Sequence, residues 1–351
     1  MTLRDLGFDQ WFEANTPAQL PEGCAFSRIA AVHRGSFSIL DGEREIPAEL
    51  SGRLSFQIDT PAELPCVGDW VAAQHYNGGD AAIIHGVFPR RTFLRRKTPG
   101  AGRAHQMVAA NVDTAFLVQS CHYDFNLQRL ERYLTMAADG HVEPVVVLTK
   151  TDLVGAEELE WKLGSVRAVA GREPLAVSCV SGSGLGAFME RLRAGATHCL
   201  LGSSGVGKTT LLNRLLGQRA FETKTVSATG EGTHTTTRRQ LLVLDAGALV
   251  IDTPGMRELG LLDAGEGLER GFDELAVLAA RCRYADCLHQ GEPGCAVRAA
   301  IAKGELSEER FANYLKLKRE SEFNALSALD RRRKDKAFGR HVKAIKKVPR
   351  D

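Results

Sequence analysis

The sequence predicts three consecutive domains: a small N-terminal β-barrel, a central α/β domain with a parallel, doubly wound sheet, and a helical C-terminal domain. Three observations lead to this prediction. Short strand patterns broken by turn residues fill residues 23–98, compact apolar runs alternate with helical patterns over residues 112–271, and a Cys/His cluster lies among charged helical patterns in residues 272–351. The length of 351 residues also exceeds the ~250–300 that one hydrophobic core usually organises.

The composition excludes several classes of protein. With 44% hydrophobic and 25% charged residues it is typical of globular domains, and no stretch approaches the ~18 consecutive apolar residues of a membrane-spanning helix. The first twenty residues include Asp5, Asp9 and Glu13 and lack an apolar core, which argues against a secretory signal. We therefore expect a cytoplasmic protein that does not bind membranes. Its eight cysteines are then thiols or metal ligands rather than disulfides.

Residues 1–22 are predicted to be a polar lead-in, and residues 23–98 a closed barrel of the OB type. The barrel prediction rests on about five short strand patterns: Gly23–Val32, Gly35–Leu40, Ile46–Leu50, Trp70–Ala73 and Ala82–Val87. The barrel ends in residues 89–97, where five basic residues surround Phe93. This composition suits a surface that faces RNA, but also a basic edge strand whose charges prevent aggregation, and both interpretations stay open.

Residues 99–111 are predicted to be a linker, because they begin with a Gly-rich, hinge-like stretch. The α/β domain follows over residues 112–271. Its buried strands are predicted from compact apolar runs: Thr114–Val118, Pro144–Leu148, Leu175–Val177, His198–Leu201, Leu241–Leu244 and Leu249–Ile251. Strands of this kind that alternate with helices indicate a parallel sheet covered on both faces.

A phosphate-binding loop follows the strand His198–Leu201 and opens the helical stretch from Thr210. The motif G-x-x-x-x-G-K-[ST] is matched by Gly202, Ser203, Ser204, Gly205, Val206, Gly207, Lys208 and Thr209. Its backbone N–H groups and the helix N-terminus are suited to phosphate oxygens. Lys208 is expected to reach the β- and γ-phosphates and Thr209 to ligate Mg²⁺.

Further motifs indicate that the nucleotide is GTP. Asp252-Thr253-Pro254-Gly255 fits D-x-x-G, in which Asp252 would hold the Mg²⁺ shell and the Gly255 amide would sense the γ-phosphate. Thr149-Lys150-Thr151-Asp152 lies after a strand, as N-K-x-D does in GTPases, with Asp152 as the guanine reader, Lys150 along the base and Thr149 in place of Asn. Ser178-Cys179 would begin the loop that closes over guanine. An ATPase is disfavoured by Asp152.

The order of these motifs is reversed in part. The base-reading motifs precede the phosphate loop, whereas standard GTPases run from the phosphate loop to the base readers. The sequence therefore predicts a circularly permuted GTPase domain. The same sheet can be assembled, because each motif still follows its strand and the carboxyl ends of parallel strands form one ligand-binding edge.

Residues 229–238, rich in Gly and Thr, are predicted to be the first switch, with Thr236 as a ligand of Mg²⁺. Met256 follows D-x-x-G where Ras-like enzymes place a water-orienting Gln, so slow intrinsic hydrolysis is expected. His234 is the candidate catalytic residue, because a neutral imidazole can orient or deprotonate the attacking water. The alternative, a loop histidine without a chemical role, stays open.

The C-terminal domain, residues 272–351, contains Cys282, Cys287, His289 and Cys295 within fourteen residues. Three thiolates and one imidazole are a common structural zinc set, so one structural Zn²⁺ is predicted. The alternative is a set of buried thiols without a metal. From residue 331 to the end, ten Lys/Arg stand against two Asp, while the other 330 residues have 35 basic and 41 acidic side chains. This basic tail suits a nucleic-acid partner, or is a solvated terminus.

Taken together, these motifs resemble the ribosome small-subunit-dependent GTPase A family (RsgA/YjeQ type) over nearly the whole chain. The resemblance rests on Gln106–Asp113, Thr149–Asp152, Gly202–Thr209, His234–Thr237, Asp252–Leu259 and the zinc stretch Cys282–Val297. It implies an N-terminal OB-fold RNA-binding domain, a permuted GTPase domain and a zinc-binding C-terminal domain.

The resemblance further implies a GTP hydrolase that binds the small ribosomal subunit and its rRNA, is stimulated by it, and assists its late maturation. GTP with Mg²⁺ would be the bound nucleotide, with Thr210 among its contacts, and GDP the product. A monomer is expected. Two alternatives are a permuted GTPase for large-subunit assembly and an RNA-binding scaffold that binds the nucleotide without turnover.

Overall fold

The computed structural model of the protein describes residues 1–18, 20–33, 35–97, 105–217, 239–253 and 265–325. The chain divides into two compact units. The first consists of Met1–Arg95 with Gln106–Leu259 and contains the barrel and the central sheet; the second consists of Arg96–His105 with Gly260–Asp351. His234, Thr236, Gly255, Met256 and the basic tail lie outside the described residues.

The N-terminal domain is a closed five-stranded barrel. Its elements are the helix α1 (Gln10–Ala14), the strands β1 (Ala25–Val32), β2 (Phe37–Leu40) and β3 (Glu45–Leu50), the helix α2 (Gly52–Gln57), and the strands β4 (Trp70–Tyr76) and β5 (Ala81–Val87). The strands pair in the order β1-β2-β3-β5-β4, and β4 pairs with β1 to close the ring. Alternate residues of these strands fill the interior, with Ile29, Ile39 and Ile84 fully buried. The prediction of a small closed barrel is confirmed.

The first residues pack against this barrel. Asp9 caps α1 by accepting from the backbone N–H of Trp11, and Leu6, Phe8 and Phe12 are buried. The ring of Phe8 lies 4.8 Å from that of Trp70 in an edge-to-face contact. The prediction of a polar lead-in over residues 1–22 misses this aromatic cluster, because Phe8 precedes the very short helix that contains Phe12 and the two side chains give little periodic signal.

Over its described residues, the α/β domain is built on six strands. They are β8 (Thr114–Ser120), β9 (Glu143–Thr149), β10 (Leu175–Val177), β11 (Thr197–Leu201), β12 (Gln240–Val243) and β13 (Leu249–Asp252). The helices are α3 (Leu127–Asp139), α4 (Ala156–Ala170), α5 (Leu185–Met189) and α6 (Lys208–Leu215). The order is β10-β9-β8-β11-β13-β12, parallel except for β12. Full burial of β8 and β11 agrees with the continuous apolar runs of strands covered on both faces.

Two further strands, β6 (Phe93–Lys97) and β7 (His105–Ala110), form a separate two-stranded sheet. The strand β7 lies within residues 99–111, which were predicted to be a linker. Val108, Ala109 and Ala110 are fully buried, and the Ala110 N–H donates to the carbonyl of Val67 at 3.0 Å. The Gly-rich beginning of the segment suggests a linker, but its apolar end is part of the core.

The barrel and the central sheet are joined. Ala31 of β1 pairs with Gln240 of β12, so that eleven strands form one continuous sheet. This connection was not predicted, because strands far apart in sequence carry no local signal of their pairing.

The part of the second unit from residue 265 to residue 325 is helical, with α7 (Gly265–Gly271), α8 (Asp273–Ala279), α9 (Ala296–Ala302) and α10 (Glu308–Ala325). Its core includes Phe272, Val297 and Phe311, each 1% exposed or less. Arg310 pairs with Glu274 and so ties α10 to α8. In the part of the chain that the structure describes, no helix has the length and apolar character needed to cross a membrane.

Candidate nucleotide site and metal centre

The phosphate-loop residues form a tight turn between β11 and α6. Gly202 has φ +155, and a Cβ there would lie 2.3 Å from the carbonyl oxygen of Val118. Gly207 has φ +100 and is the N-cap of α6, which begins at Lys208. Only glycine adopts such a positive φ without strain, and at position 202 only glycine leaves room for the Val118 carbonyl oxygen. The predicted strand–loop–helix arrangement is therefore present, with backbone N–H groups at the helix N-terminus available to an anion.

The side chain of Lys208 is held inside this loop. It is 7% exposed, and its Nζ donates to the carbonyls of Gly202 and Ser203, both at 2.7 Å. Burial lowers the pKa of Lys208 to about 8, and the nearby carboxylate of Asp252 opposes this shift. A partly desolvated ammonium beside a helix N-terminus favours a polyanionic ligand, because phosphate oxygens would replace the two carbonyls with charged acceptors.

Asp252 ends β13 beside the phosphate loop. The parallel register of β11 and β13 places Leu200 opposite Asp252, and the Thr253 hydroxyl donates to the carbonyl of Leu200 at 2.6 Å. Asp252 is 3% exposed, and burial raises its pKa although Lys208 counteracts this. A carboxylate in this position is suited to a hydrated cation such as Mg²⁺, together with the Thr209 hydroxyl.

The two predicted base-reading motifs meet at the neighbouring strand ends. Asp152 lies in a short 3₁₀ turn after β9, and Ser178 follows β10. The Ser178 hydroxyl donates to Asp152 Oδ1 at 2.5 Å, while it accepts the backbone N–H groups of Val180 and Ser181. This fixes one carboxylate oxygen and leaves the other available to a ligand. Cys179 is half-buried beside them.

Thr149 and Lys150 occupy different environments. Thr149 is 2% exposed, and its hydroxyl lies within hydrogen-bonding reach of the carbonyls of Gln119, at 3.1 Å, and Val206. It therefore contacts the phosphate loop from the base-reading strand. Lys150 has φ +56, and burial lowers its pKa against the opposing effects of Asp124 and Asp152.

The Cys/His cluster is assembled in the helical unit. The ligand atoms of Cys282, Cys287, His289 and Cys295 all lie within 4.8 Å of one another. His289 Nδ1 is 3.5 Å from both Cys282 Sγ and Cys295 Sγ, and these two sulfurs are 4.0 Å apart. Tetrahedral Zn²⁺ with Zn–S of ~2.3 Å and Zn–N of ~2.0 Å requires separations of about 3.5–3.8 Å. The donor set and its spacing fit a structural metal ion.

Neighbouring groups support the cluster. The N–H groups of Ala296 and Arg298 point to Cys282 Sγ at 3.3 Å and Cys295 Sγ at 3.4 Å. Arg298 Nε also donates to the His289 carbonyl at 2.8 Å. Backbone donors of this kind stabilise thiolates and hold metal ligands in orientation.

Comparison with known proteins shows which family has this combination. The sequence profile described as RsgA GTPase matches residues 87–262. A protein of Opitutus terrae named small ribosomal subunit biogenesis GTPase RsgA is 45% identical over 340 residues, which cover 93% of this chain and 91% of that protein. This chain belongs to the RsgA GTPase family. A relative from Lactiplantibacillus plantarum, small ribosomal subunit biogenesis GTPase RsgA 2, is 41% identical and is covered over 92% of its length by 93% of this chain.

Solved structures agree with this family assignment. The crystal structure of YjeQ from Thermotoga maritima matches with a TM-score of 0.62 and 28% identity over 84% of this chain and 97% of that one. YloQ, described as a circularly permuted GTPase, matches with a TM-score of 0.60 over 89% of this chain and 100% of that one, and its 22% identity shows the fold alone. The resemblance to the RsgA family and the permuted fold are confirmed.

Three of the five basic residues in the segment 89–97 form ion pairs within the protein. Arg90 makes a paired contact with Asp69 at 2.8 Å, Arg91 pairs with Asp9, and Arg95 pairs with Asp139 at 2.8 Å. These three guanidinium groups connect parts of the protein to one another. A count of charges in the sequence does not show which acidic partner the fold supplies, and the RNA-facing interpretation of residues 89–97 stays a prediction.

One residue near the nucleotide site was not predicted. Asp124 lies in the loop after β8, pairs with Arg129 at 2.8 Å, and its charge partly opposes the lowering of the pKa of Lys150 and Lys208 by burial. The available signal was topological: β8 lies beside β11, so the loop after its carboxyl end borders the phosphate loop. His234, Thr236 and Gly255 are outside the described residues, and their roles stay predictions.

Proposed function

We propose that this RsgA-family GTPase binds GTP with Mg²⁺, hydrolyses it, and assists late maturation of the small ribosomal subunit, which stimulates the hydrolysis. The relatives are named for small ribosomal subunit biogenesis, which supports the choice of partner. The observation that carries the proposal is the assembly of three separated motifs at one edge of the sheet. Asp252 ends the strand next to β11, which leads into the phosphate loop. Asp152 follows β9, two strands from β11 on the other side, and contacts Ser178.

The residues divide into three groups by the part of the nucleotide that they would hold. The phosphates would be bound by backbone N–H groups of the loop and by Lys208. Guanine would be read by Asp152, oriented by Ser178, and covered by Lys150 and Cys179. Mg²⁺ would be held by Thr209 and Asp252, with Thr236 as a third ligand, and when bound it neutralises developing charge on the phosphates.

Hydrolysis requires an oriented water. We assign this role to His234, because Met256 has no polar atom that could orient water at the position after D-x-x-G. Slow turnover of the isolated protein follows. Stimulation would then come from placement of His234 against the attacking water when the subunit binds, and release from the subunit would follow hydrolysis.

For contact with rRNA we propose the barrel, the zinc domain and the basic tail. Arg90, Arg91 and Arg95 are paired with carboxylates. The tail, rather than residues 90–97, would therefore supply most of the positive charge that contacts rRNA. One Zn²⁺ bound by the four Cys/His ligands would stabilise the zinc domain and have no catalytic role. A monomeric protein acting in the cytoplasm fits this proposal.

The test is GTP turnover by the full-length protein with and without purified small subunits, at low and high salt. We expect a low basal rate, strong stimulation at low salt, and a steep decrease as salt displaces phosphate contacts. Deletion of residues 331–351 should reduce the stimulation, and His234→Ala should abolish stimulated turnover while GTP affinity remains. Equal rates with and without subunits at low salt would favour a scaffold that binds GTP without turnover, which Met256 also suits.

Base selectivity is tested separately. Asp152→Asn should reduce GTP affinity by roughly 30-fold or more, because the bidentate contact to the guanine N1–H and N2–H₂ groups is lost, and should improve binding of xanthosine triphosphate. Ser181→Ala, in which a neighbouring exposed hydroxyl is removed, is the control and should bind GTP normally. Unchanged GTP preference in Asp152→Asn would contradict the assignment of the base reader.

A further inference from the structure

A cavity of about 390 Å³ lies at the amino ends of the central strands. Its wall includes Thr197, the first residue of β11, whereas the phosphate loop follows the last residue of the same strand. A five-residue strand separates the two places by roughly 15 Å. The cavity is therefore distinct from the nucleotide site. It lies where the N-terminal segment, the barrel and the α/β domain meet within the first unit.

Six charged side chains line the cavity: Arg4, Arg28, Arg91 and Arg193 stand against Asp9 and Asp113. This leaves an excess of two positive charges around a concave space. Arg91 is engaged with both carboxylates, at 2.5 Å to Asp9 and 3.6 Å to Asp113. Asp113 also accepts the backbone N–H of Thr197 at 2.8 Å. The two acidic groups are thus already committed to neighbours.

Arg28 is the central feature. It is 1% exposed, and its guanidinium donates to the carbonyls of Leu6, Gly68, at 3.2 Å, and Asn111, at 3.0 Å. Within the described ranges, Arg28 forms no ion pair with a carboxylate. Burial lowers the pKa of Arg28 to about 10, and the nearby charges of Asp113 and Asp69 oppose this shift, so that the group is charged at neutral pH. These three carbonyls use three of the five N–H donors of a guanidinium.

A buried charge without a counter-charge in direct contact is costly, and a mobile anion would relieve that cost. Neither Arg4 nor Arg193 forms an ion pair with another residue in the described part of the chain, and both side chains are exposed at the rim. Gly7, with φ +89, makes room here, since a Cβ at that position would lie 3.2 Å from the Arg28 guanidinium. The fold thus brings a buried cation and two rim cations around one space.

We propose that this cavity binds a phosphate-type dianion, held by the buried Arg28 and, at the rim, by Arg4, Arg91 and Arg193. Guanidinium groups match the geometry of phosphate oxygens in paired hydrogen bonds. Two sources share this chemistry: inorganic phosphate and the phosphate monoester of a small molecule. Either would connect the barrel to the α/β domain, because the groups that hold it come from both.

The first experiment is calorimetric titration of inorganic phosphate into the full-length protein loaded with GDP. We expect saturable binding that Arg193→Gln weakens by about tenfold or more, as expected for the loss of a charge-assisted hydrogen bond. Arg191→Gln is the matched control: Arg191 is an exposed arginine two residues away that does not line the cavity, and its replacement should leave the affinity unchanged. Arg4→Gln should weaken binding as Arg193→Gln does.

Cytidine monophosphate is titrated in parallel to distinguish the two sources. Tighter binding of this nucleotide than of phosphate, sensitive to Arg193→Gln, would identify a phosphate monoester as the ligand; tighter binding of phosphate would identify the free anion. The proposal is overturned if the wild type binds neither compound, or if Arg193→Gln and Arg4→Gln bind phosphate as the wild type does. It is also overturned if binding is lost only in Lys208→Ala, since phosphate would then occupy the nucleotide site.

Discussion

Gln240 stands directly opposite Asp252 in the antiparallel pair β12–β13, and on its other side it pairs with Ala31 of the barrel. One residue therefore lies between the barrel and the carboxylate assigned to the Mg²⁺ shell. Its neighbour Arg239 donates to the carbonyl of Met107 at 3.0 Å. The strand that follows the predicted first switch is thus held from the barrel side and from β7.

This arrangement predicts that Arg239, which anchors β12 to β7, contributes to the coupling between subunit binding and the nucleotide site. Arg239→Ala should keep basal GTP hydrolysis and reduce its stimulation by small subunits several-fold, because β12 loses one of its anchors. Stimulated and basal turnover are measured with the matched surface variant Arg191→Ala, which should behave as wild type. Full stimulation in Arg239→Ala would show that this anchor does not contribute to coupling.

Thr149 is predicted to support the phosphate loop. Thr149→Val removes the hydroxyl that lies against the Val206 carbonyl and leaves buried polar groups without this partner, which costs about 1–3 kcal/mol. Affinity for GDP should fall between about 5- and 150-fold by fluorescence titration. Thr149→Ser, which keeps the hydroxyl, should retain most of the affinity. Equal binding by the Val and Ser variants would rule out this role.

The metal cluster predicts one zinc ion per chain. A Cys287→Ala/Cys295→Ala variant should contain no zinc by metal analysis, and the melting of the helical unit should shift to lower temperature, because metal binding stabilises the folded state. Nucleotide binding should persist, since the phosphate loop belongs to the other unit. Cys24→Ala, at a cysteine far from the cluster in sequence, is the control. Zinc retained by the double variant would contradict the ligand assignment.

His198 predicts a pH dependence of stability. It is fully buried in β11, its ring stacks on Phe116 at 5.4 Å, and burial lowers its pKa to about 4. Because the unfolded chain binds the proton near pH 6.5 and the folded chain does not, the free energy of unfolding should decrease as the pH falls from 6.5 towards 4. The decrease attributable to this group is about 3 kcal/mol at most.

Denaturant unfolding of the wild type and of His198→Leu across this pH range tests the prediction. The variant should lose less stability on acidification than the wild type, because its side chain takes up no proton on unfolding. Parallel pH profiles for the two proteins would show that His198 does not contribute.

The sequence by itself determined the order of domains, the phosphate loop, the permuted order of motifs and the Cys/His cluster. These features depend on residues close together in the chain: the glycines that a tight loop requires, the apolar runs of buried strands, and the spacing of Cys282 to Cys295. The physical cause of each of these patterns lies in residues that are neighbours in the chain. They also carry the resemblance to the RsgA family.

The tertiary structure decided the relationships between residues distant in sequence. The pairing of Ala31 with Gln240, the use of Arg90 and Arg95 as internal ion-pair partners, the burial of Phe8 and the charge of Arg28 beneath a cavity were not apparent from the chain. A charge or a ring has the same signature in the sequence whether it meets solvent, RNA or another part of the fold. Only the three-dimensional arrangement supplies its partner, and the partner determines its energy and its role.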